Sequence, residues 1–329
     1  VTWRFALLGH PVAHSLSPAL AAAALPALGL SGRYELLDTP GPTPPPDGPA
    51  PALDARLEAL RRGTYDGLNV TAPLKQAARA RCDALGEDAR RVGAVNTLCR
   101  APSPSRGAPA RIVGHNTDLP GLIAALRERW PATPWRGRPV AVLGAGGAAR
   151  AAVWAAAQTG ASEVLVLNRT PQRARALVAQ SEGLPVPIQA APWPAQSPAT
   201  AAGLARCALI LQATSLGVGV SPGAPHGAWD DALTRAQGAL AGASPGACLY
   251  DLVYTPAKTV WVHAARARGL DATSGLGMLV HQAASAYELW TGRRPPADAL
   301  WKAARRALDE RERVAHTEPR GVDRELSGV

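Results

Sequence analysis

An α/β protein built on a doubly wound parallel sheet is what this sequence predicts, and three observations carry the prediction. Short apolar runs of the length of buried parallel strands alternate with helical segments. One run, residues 140–143, leads into Gly144, Gly146 and Ala149 at G-x-G-x-x-A spacing. An Ala-rich helix over about 147–159 follows, Gly160 stops it, and 163–167 reads as the next strand. Finally, polar side chains gather where strands end: Asn69, Thr71, Asn96, Asn116 and Asp118. Open α/β sheets bind their ligands at those carboxyl ends.

Taken in order, residues 4–9 read as a first strand. His14-Ser15-Leu16-Ser17-Pro18 then opens an apolar helix over 19–28, with Ser17 as N-cap and Pro18 in the first turn. Two hydroxyls so placed can also receive a carboxylate, with the helix dipole helping. Residues 34–37 read as a strand, and the Pro-rich stretch 39–51 as an exposed, extended loop. A helix over 52–62 precedes a strand over 67–71, which runs into Ala72-Pro73-Leu74-Lys75, with helical residues continuing to 85. Strands over 93–99 and 112–114 are joined by a Pro/Ser/Gly-rich turn, 101–109. Asp118 suits the N-cap of a helix over 120–130, and a domain boundary is expected near it.

Beyond the glycine unit, Pro171 opens a helix over 171–180. Residues 185–202 are rich in Pro, Ala, Ser and Thr and poor in pattern. Strands are expected over 208–212 and 248–253, and an amphipathic helix over 276–290. From about residue 310 the chain is charged without apolar periodicity, so a frayed tail is expected.

The glycine turn is a dinucleotide site in sequence terms. Side chains there would block a pyrophosphate from the helix N-terminus, where free N–H groups and the dipole favour an anion. A carboxylate at the end of the second strand would bind the ribose hydroxyls of NAD. This chain has Asn168, Arg169 and Thr170 there, with Arg173 just beyond. No acid repels a 2′-phosphate, and two guanidiniums can hold it by forked hydrogen bonds, so NADP(H) is expected.

Composition narrows the class. At 329 residues and 47% apolar content, the chain has room for two domains with real cores. The longest apolar run, residues 19–30, is interrupted by Pro26 and too short to span a bilayer. With no signal-peptide pattern, a cytoplasmic protein with no membrane partner is expected. Four scattered cysteines indicate neither a disulfide framework nor a zinc site, and no metal is expected. The net charge of +10 is spread along the chain without a basic run, which argues against a nucleic-acid partner. Only three of the 35 basic residues are lysine: Lys75, Lys258 and Lys302. Arginine cannot give up its proton in a protein and lysine can, which singles out Lys75 beside the strand-end cluster. An amine and a carboxylate, Lys75 and Asp118, on neighbouring strand ends suggest alcohol–ketone interconversion with a nicotinamide cofactor.

HSLSP (14–18), NVTAPLK (69–75), GAVNT (93–97), NTD (116–118), GAGGAAR (144–150), NRT (168–170), ATSLG (213–217), YDLVY (250–254) and GLGMLVHQ (275–282) occur in one order. Together they resemble the shikimate dehydrogenase family. The resemblance implies a discontinuous N-terminal α/β substrate domain, 1–118 with 276–329, clasping a Rossmann-type NADP domain, 119–275. It implies a small-molecule partner, with reversible reduction of 3-dehydroshikimate to shikimate in aromatic amino-acid biosynthesis. Lys75 would be the acid/base group, oriented by Asp118. Ser15, Ser17 and Tyr254 would hold the substrate carboxylate, and Asn69, Thr71, Asn96, Asp118 and Gln282 the ring hydroxyls. Gly144, Ala145, Gly146, Gly147 and Ala148 would cradle the pyrophosphate, and Asn168, Arg169, Thr170 and Arg173 the phosphorylated ribose. Thr214, Ser215, Gly275 and Met278 would complete the cofactor site. Ala21 and Ala22 depart from the His-Asn pair usual in the family. A quinate or aminoshikimate dehydrogenase is an alternative, as is a non-catalytic NADP-binding regulator. Retention of both Lys75 and Asp118 argues against the latter. A monomer or homodimer is expected.

Arg169→Ala is expected to raise the KM for NADPH far more than that for NADH, as steady-state rates with each cofactor would reveal. An equal loss for both would contradict the phosphate-clamp reading.

Overall fold

The computed structural model describes residues 2–42, 48–103, 109–193, 198–222 and 224–317. In the first part of the chain come β1 (Thr2–Gly9), α1 (Ser17–Ala27), β2 (Ser31–Asp38), α2 (Pro51–Arg61), β3 (Gly67–Val70) and α3 (Lys75–Ala80). β4 (Ala84–Leu85), α4 (Glu87–Val92), β5 (Thr97–Ala101) and β6 (Arg111–His115) complete a sheet ordered β2-β1-β3-β5-β6-β4. β1 runs parallel to both β2 and β3, whereas β5 is antiparallel to β3 and to β6. This sheet is therefore mixed, because β5 and β6 are joined as a hairpin.

The second part holds α5 (Asp118–Arg129), β7 (Pro139–Leu143), α6 (Gly147–Gln158), β8 (Glu163–Asn168), α7 (Pro171–Ala179), β9 (Ile188–Pro192) and α8 (Pro198–Arg206). It continues through β10 (Leu209–Gln212), α9 (Ala228–Leu240), β11 (Cys248–Asp251), α10 (Val260–Ala267) and β12 (Asp271–Ser274). These six strands form an all-parallel sheet ordered β12-β11-β10-β7-β8-β9. The order reverses between β7 and β10, the switch point at which doubly wound sheets bind nucleotides.

α11 (Leu276–Thr291) and α12 (Ala297–Thr317) then return to the first sheet. Trp290 stacks on Phe5 at a centroid distance of 4.6 Å, Tyr287 meets the same ring edge-on at 5.5 Å, and Trp290 Nε1 donates to Leu98 O (3.1 Å). Gly67 makes this approach feasible, since a Cβ there would lie 2.2 Å from Trp290 Nε1. Leu300, Ala304 and Leu308 bury the inner stripe of α12.

Several expectations need correction. Ser17 is not the N-cap of α1: Leu16 holds that position, and Ser15 Oγ accepts the Ser17 N–H (3.2 Å). Asp118 does not cap α5 either: Thr117 is at N-cap, while Asn116 Oδ1 accepts from Leu119 N (3.0 Å). The helix begun at Lys75 ends at Ala80, not 85, because Asp83 N bonds Ile112 O (2.9 Å) and draws the chain onto the sheet edge. The strand expected over 93–99 starts only at Thr97. Before it lies α4, unanticipated and closed by Gly93 in the left-handed region (φ 71°). The patternless region 185–202 contains β9 and part of α8. The tail does not fray at 310, since α12 continues to Thr317. Parts of the Pro-rich loop (43–47), of the 101–109 turn (104–108) and of the tail (318–329) lie outside the described residues. No helix among the described residues is long and apolar enough to cross a membrane.

At the carboxyl end of β11, Asp251 is fully buried. Its Oδ1 accepts from Gln212 Nε2 and from Val253 N, each at 3.0 Å. Burial pushes this carboxyl up to about 7, against the pull of those hydrogen bonds. The native state therefore holds a proton that the unfolded chain releases, and the protein loses stability as pH rises through the interval up to about 7. Asp251→Asn is expected to remove this slope. Denaturant titrations should find the variant gaining on wild type by up to about 4 kcal/mol between roughly pH 4 and 7. A pH-independent difference would contradict the assignment.

Candidate active site

Lys75 is the first residue of α3 and Asp118 the first of α5, so each stands just beyond a strand end of the first sheet. Their side chains meet with Lys75 Nζ 2.5 Å from Asp118 Oδ2, and they are only 14% and 8% exposed. Asp118 Oδ1 accepts from Asn96 Nδ2 (2.9 Å). The Asn96 amide is itself oriented, because its Oδ1 accepts from Thr117 N (2.7 Å). Asn69 Nδ2 donates to Asn96 O (3.3 Å) and Thr97 Oγ1 (3.2 Å), while Tyr34 OH donates to Asn69 Oδ1 (2.7 Å). Buried polar groups are costly unless bonded, and here each satisfies the next.

Lys75, Asp118, Asn96 and Asn69 line one cavity of about 210 Å³, together with Ser15, Ser17, Thr71, Ala148, Tyr254, Gly275, Met278 and Gln282. Every residue expected to act on the substrate is thus brought together, and Lys75 and Asp118 are the only charged residues in the lining. Ser15 Oγ donates to Ser17 Oγ (3.0 Å). Tyr254 faces Ser15 and the Leu16 backbone, and Tyr34 faces Ser17. Burial raises both phenols above their ordinary value, so they remain neutral hydrogen-bonding groups. Gln282 Nε2 donates to Leu279 O (3.0 Å), and its Oε1 accepts from Thr117 Oγ1 (3.4 Å).

The second sheet closes the other side. A Cβ on Gly147 would lie 3.2 Å from Lys75 Cδ, so the lysine stem rests on the first turn of α6. The next residue of α3, Gln76, takes part in the same contact. With its amide oxygen turned to the guanidinium, Gln76 Oε1 accepts from Arg150 Nη2 (2.7 Å) and Nε (3.0 Å). Met278 N donates to Tyr250 OH (2.9 Å), which anchors the start of α11 beside the cavity.

The remaining cofactor candidates lie outside the cavity lining, at successive strand ends of the second sheet. Gly144 has a φ of 112°, and a Cβ there would sit 3.0 Å from Ala213 O, so the β7–α6 turn requires glycine. Ala145 continues that turn. Gly146 holds the N-cap of α6 with no side-chain cap, and a Cβ there would meet nothing within 4 Å. Open space against uncapped N–H groups fits a pyrophosphate. Asn168 Nδ2 donates to Thr170 O (2.9 Å) at the end of β8, where Arg169, Thr170 and Arg173 are exposed. Thr214 N bonds Gln212 Oε1, and Leu216 N bonds Thr214 Oγ1 (3.3 Å), shaping the turn after β10 that also carries Ser215.

Sequence reasoning missed Tyr34, Thr97, Thr117, Gln76 and Arg150 as parts of this network. Thr97 and Thr117 sit inside the GAVNT and NTD segments and were visible there. Tyr34 reaches Asn69 only because β2 pairs with β1 and β1 with β3, which no local signal reveals. The cysteines offer no rival chemistry: burial pushes Cys82, Cys99 and Cys207 up to about 12 and Cys248 up to about 11, far from a reactive thiolate. Among the described residues no group of His, Cys, Asp and Glu is arranged to hold a metal.

Residues 7–98 match the shikimate dehydrogenase substrate binding domain, 130–192 the shikimate/quinate 5-dehydrogenase family, and 275–305 the shikimate 5′-dehydrogenase C-terminal domain. The chain is 41% identical over 305 residues to the NADP(+) shikimate dehydrogenase of Thermus thermophilus, covering 93% of this chain and 98% of that one. It superposes on a Thermus thermophilus shikimate 5-dehydrogenase, solved in complex with NADP(H) and shikimate, with a TM-score of 0.72 and 39% identity. That likeness covers 93% of this chain and 100% of the other. A 5-ketofructose reductase of Gluconobacter shares the architecture at 25% identity and a TM-score of 0.71, over 93% of this chain and 99% of that one. With relatives about 40% identical and alike over nearly their whole length, this chain belongs to the shikimate dehydrogenase family.

Proposed function

We propose that the chain interconverts 3-dehydroshikimate and shikimate with NADP(H), a step of aromatic amino-acid biosynthesis. The observation that carries this is the Lys75–Asp118 pair, set in an otherwise uncharged cavity against the first turn of α6. NADP(H), when bound, supplies or accepts the hydride. The open Gly146 turn and the arginines after β8 fit its pyrophosphate and 2′-phosphate, respectively. The division 1–118 with 276–329, and 119–275, is part of this reading. It is supported by α11 packing on Phe5 of the first sheet with α12 packed on α1 and α11, and by the packing of Leu119, Leu122 and Leu126 of α5 with Val140 and Val142 of β7.

Lys75 Nζ gives a proton to the reacting ring oxygen in the reducing direction and takes it back in the oxidising one. Asp118 holds the amine at that oxygen and compensates its charge. Asn96 holds Asp118, and Thr117 in turn holds the Asn96 amide, which keeps the carboxylate oriented toward the amine. Asn69, Thr71 and Gln282 direct hydrogen bonds at ring hydroxyls, and Ser15, Ser17 and Tyr254 receive the carboxylate. Such a lining rejects analogues that lack a hydroxyl, because its own buried groups would be left unpaired.

A positioned proton donor typically contributes about 10²–10⁴-fold to the rate. Lys75→Ala is expected to lower kcat for shikimate oxidation by roughly that factor, with the Kd for NADPH nearly unchanged in a fluorescence titration. Wild-type turnover in the variant would end the acid/base assignment, and parallel assays with quinate would define the substrate range.

A further inference from the structure

The last turns of α12 reach back over the hydroxyl end of the cavity. Arg311 donates through Nη1 to His14 O and through Nη2 to Ser15 O (2.9 Å). The next residue, Glu312, accepts the Ala257 N–H through Oε1 at 2.7 Å. One helical turn therefore grips both segments that frame the hydroxyl cluster: the loop carrying Ser15 and Ser17, and the segment after β11 carrying Tyr254.

The grip has an electrical consequence. The carbonyl of Ser15 and the N–H of Leu16 belong to one planar peptide unit and point in opposite directions. Arg311 holds the carbonyl end of that unit, and the Leu16 backbone faces the Tyr254 hydroxyl at the other. The guanidinium thus polarises the peptide toward the cavity, and its own field also reaches Tyr254. The hydroxyls of Ser15, Ser17 and Tyr254 are neutral, and the lysine of the cavity is already paired with Asp118. An anion bound among those hydroxyls therefore has the positive charge of Arg311, which pairs with no carboxylate among the described residues, directly behind the loop that holds it.

We propose that Arg311 is a positioning and specificity residue for the substrate carboxylate, fixing the Ser15–Ser17 loop from behind and supplying the positive charge that the cavity wall lacks. This rests on the carboxylate lying at Ser15, Ser17 and Tyr254, as proposed above. Glu312 assists by tying the Tyr254 segment to the same helix.

The test is steady-state kinetics on the full chain, comparing wild type, Arg311→Gln, Arg311→Lys and Ser15→Ala, with thermal unfolding followed in parallel. Arg311→Gln is expected to raise the KM for shikimate about tenfold, the scale of losing a charge-assisted hydrogen bond, with kcat and the KM for NADP+ within about twofold. Arg311→Lys, which keeps the charge but loses the fork, should recover part of that loss. An unchanged KM for shikimate in Arg311→Gln overturns the proposal, as does a loss shared equally by kcat and both KM values, which marks a merely structural role. If Arg311→Gln does not fold, a wild-type KM for shikimate in Arg311→Lys overturns it instead. Ser15→Ala separates the two readings: a raised KM there with an unchanged Arg311→Gln rejects only the role of α12, whereas an unchanged KM in Ser15→Ala rejects the carboxylate placement itself.

Discussion

The contact between Lys75 and Asp118 is the constraint to which the rest of the site answers. Removing one partner of a buried ion pair typically costs about 3–5 kcal/mol, because a desolvated charge is left uncompensated. The fold meets that demand with geometry. Both residues open helices, so the backbone fixes where each side chain starts. The helix dipole favours Asp118 at the start of α5 and disfavours a cation at the start of α3. The carboxylate compensates the lysine, while Asn96 occupies the second oxygen of Asp118. The surrounding Asn and Thr side chains form a closed set of hydrogen bonds, so no member can move without leaving another unpaired.

That pair stands against the start of α6 only because elements of the two sheets meet beside it. α3 belongs to the first sheet by connection, yet Lys75 rests on Gly147 and Gln76 meets Arg150, both at the start of α6. Arg150 is itself buried, which lowers its hold on a proton, and its partner is an amide rather than a carboxylate. The amine and the nucleotide turn are therefore held together by adjacent residues of one short helix. Ala148, in the first turn of α6, and the strand ends of the first sheet line the same cavity.

Much of this was legible in the sequence, for identifiable reasons. The 140–170 unit is a sequence of strong local signals: a β-branched run, obligatory glycines, an Ala-rich helix and a stopping glycine with φ 97°. All its elements fall within a residue or two of where they were expected. β9 was not legible, because it is a short edge strand ending in Pro192 that obtains its order from pairing with β8. The capping of α1 and α5 differs because Ser17 and Asp118 have the right chemistry, while Ser15 and Asn116, each one residue before the N-cap, are the side chains that accept first-turn N–H groups. The end of α12 carries no apolar stripe past Leu308. It is held by polar bonds to loops nearly 300 residues away in sequence, which periodicity does not register. Residues that line the cavity were easier to find than those that hold them, since Tyr34 and Arg150 bond neighbours known only from the fold.

The account depends on Asp118 contributing its charge and not merely its shape. The most direct measurement is kcat for shikimate oxidation by Asp118→Asn, whose amide keeps the volume and one acceptor of the carboxylate but not its charge, with NADPH affinity measured on the same sample. A fall in kcat of about 10²-fold or more, with NADPH affinity intact, is the predicted result. Turnover within a few-fold of wild type would contradict the central claim.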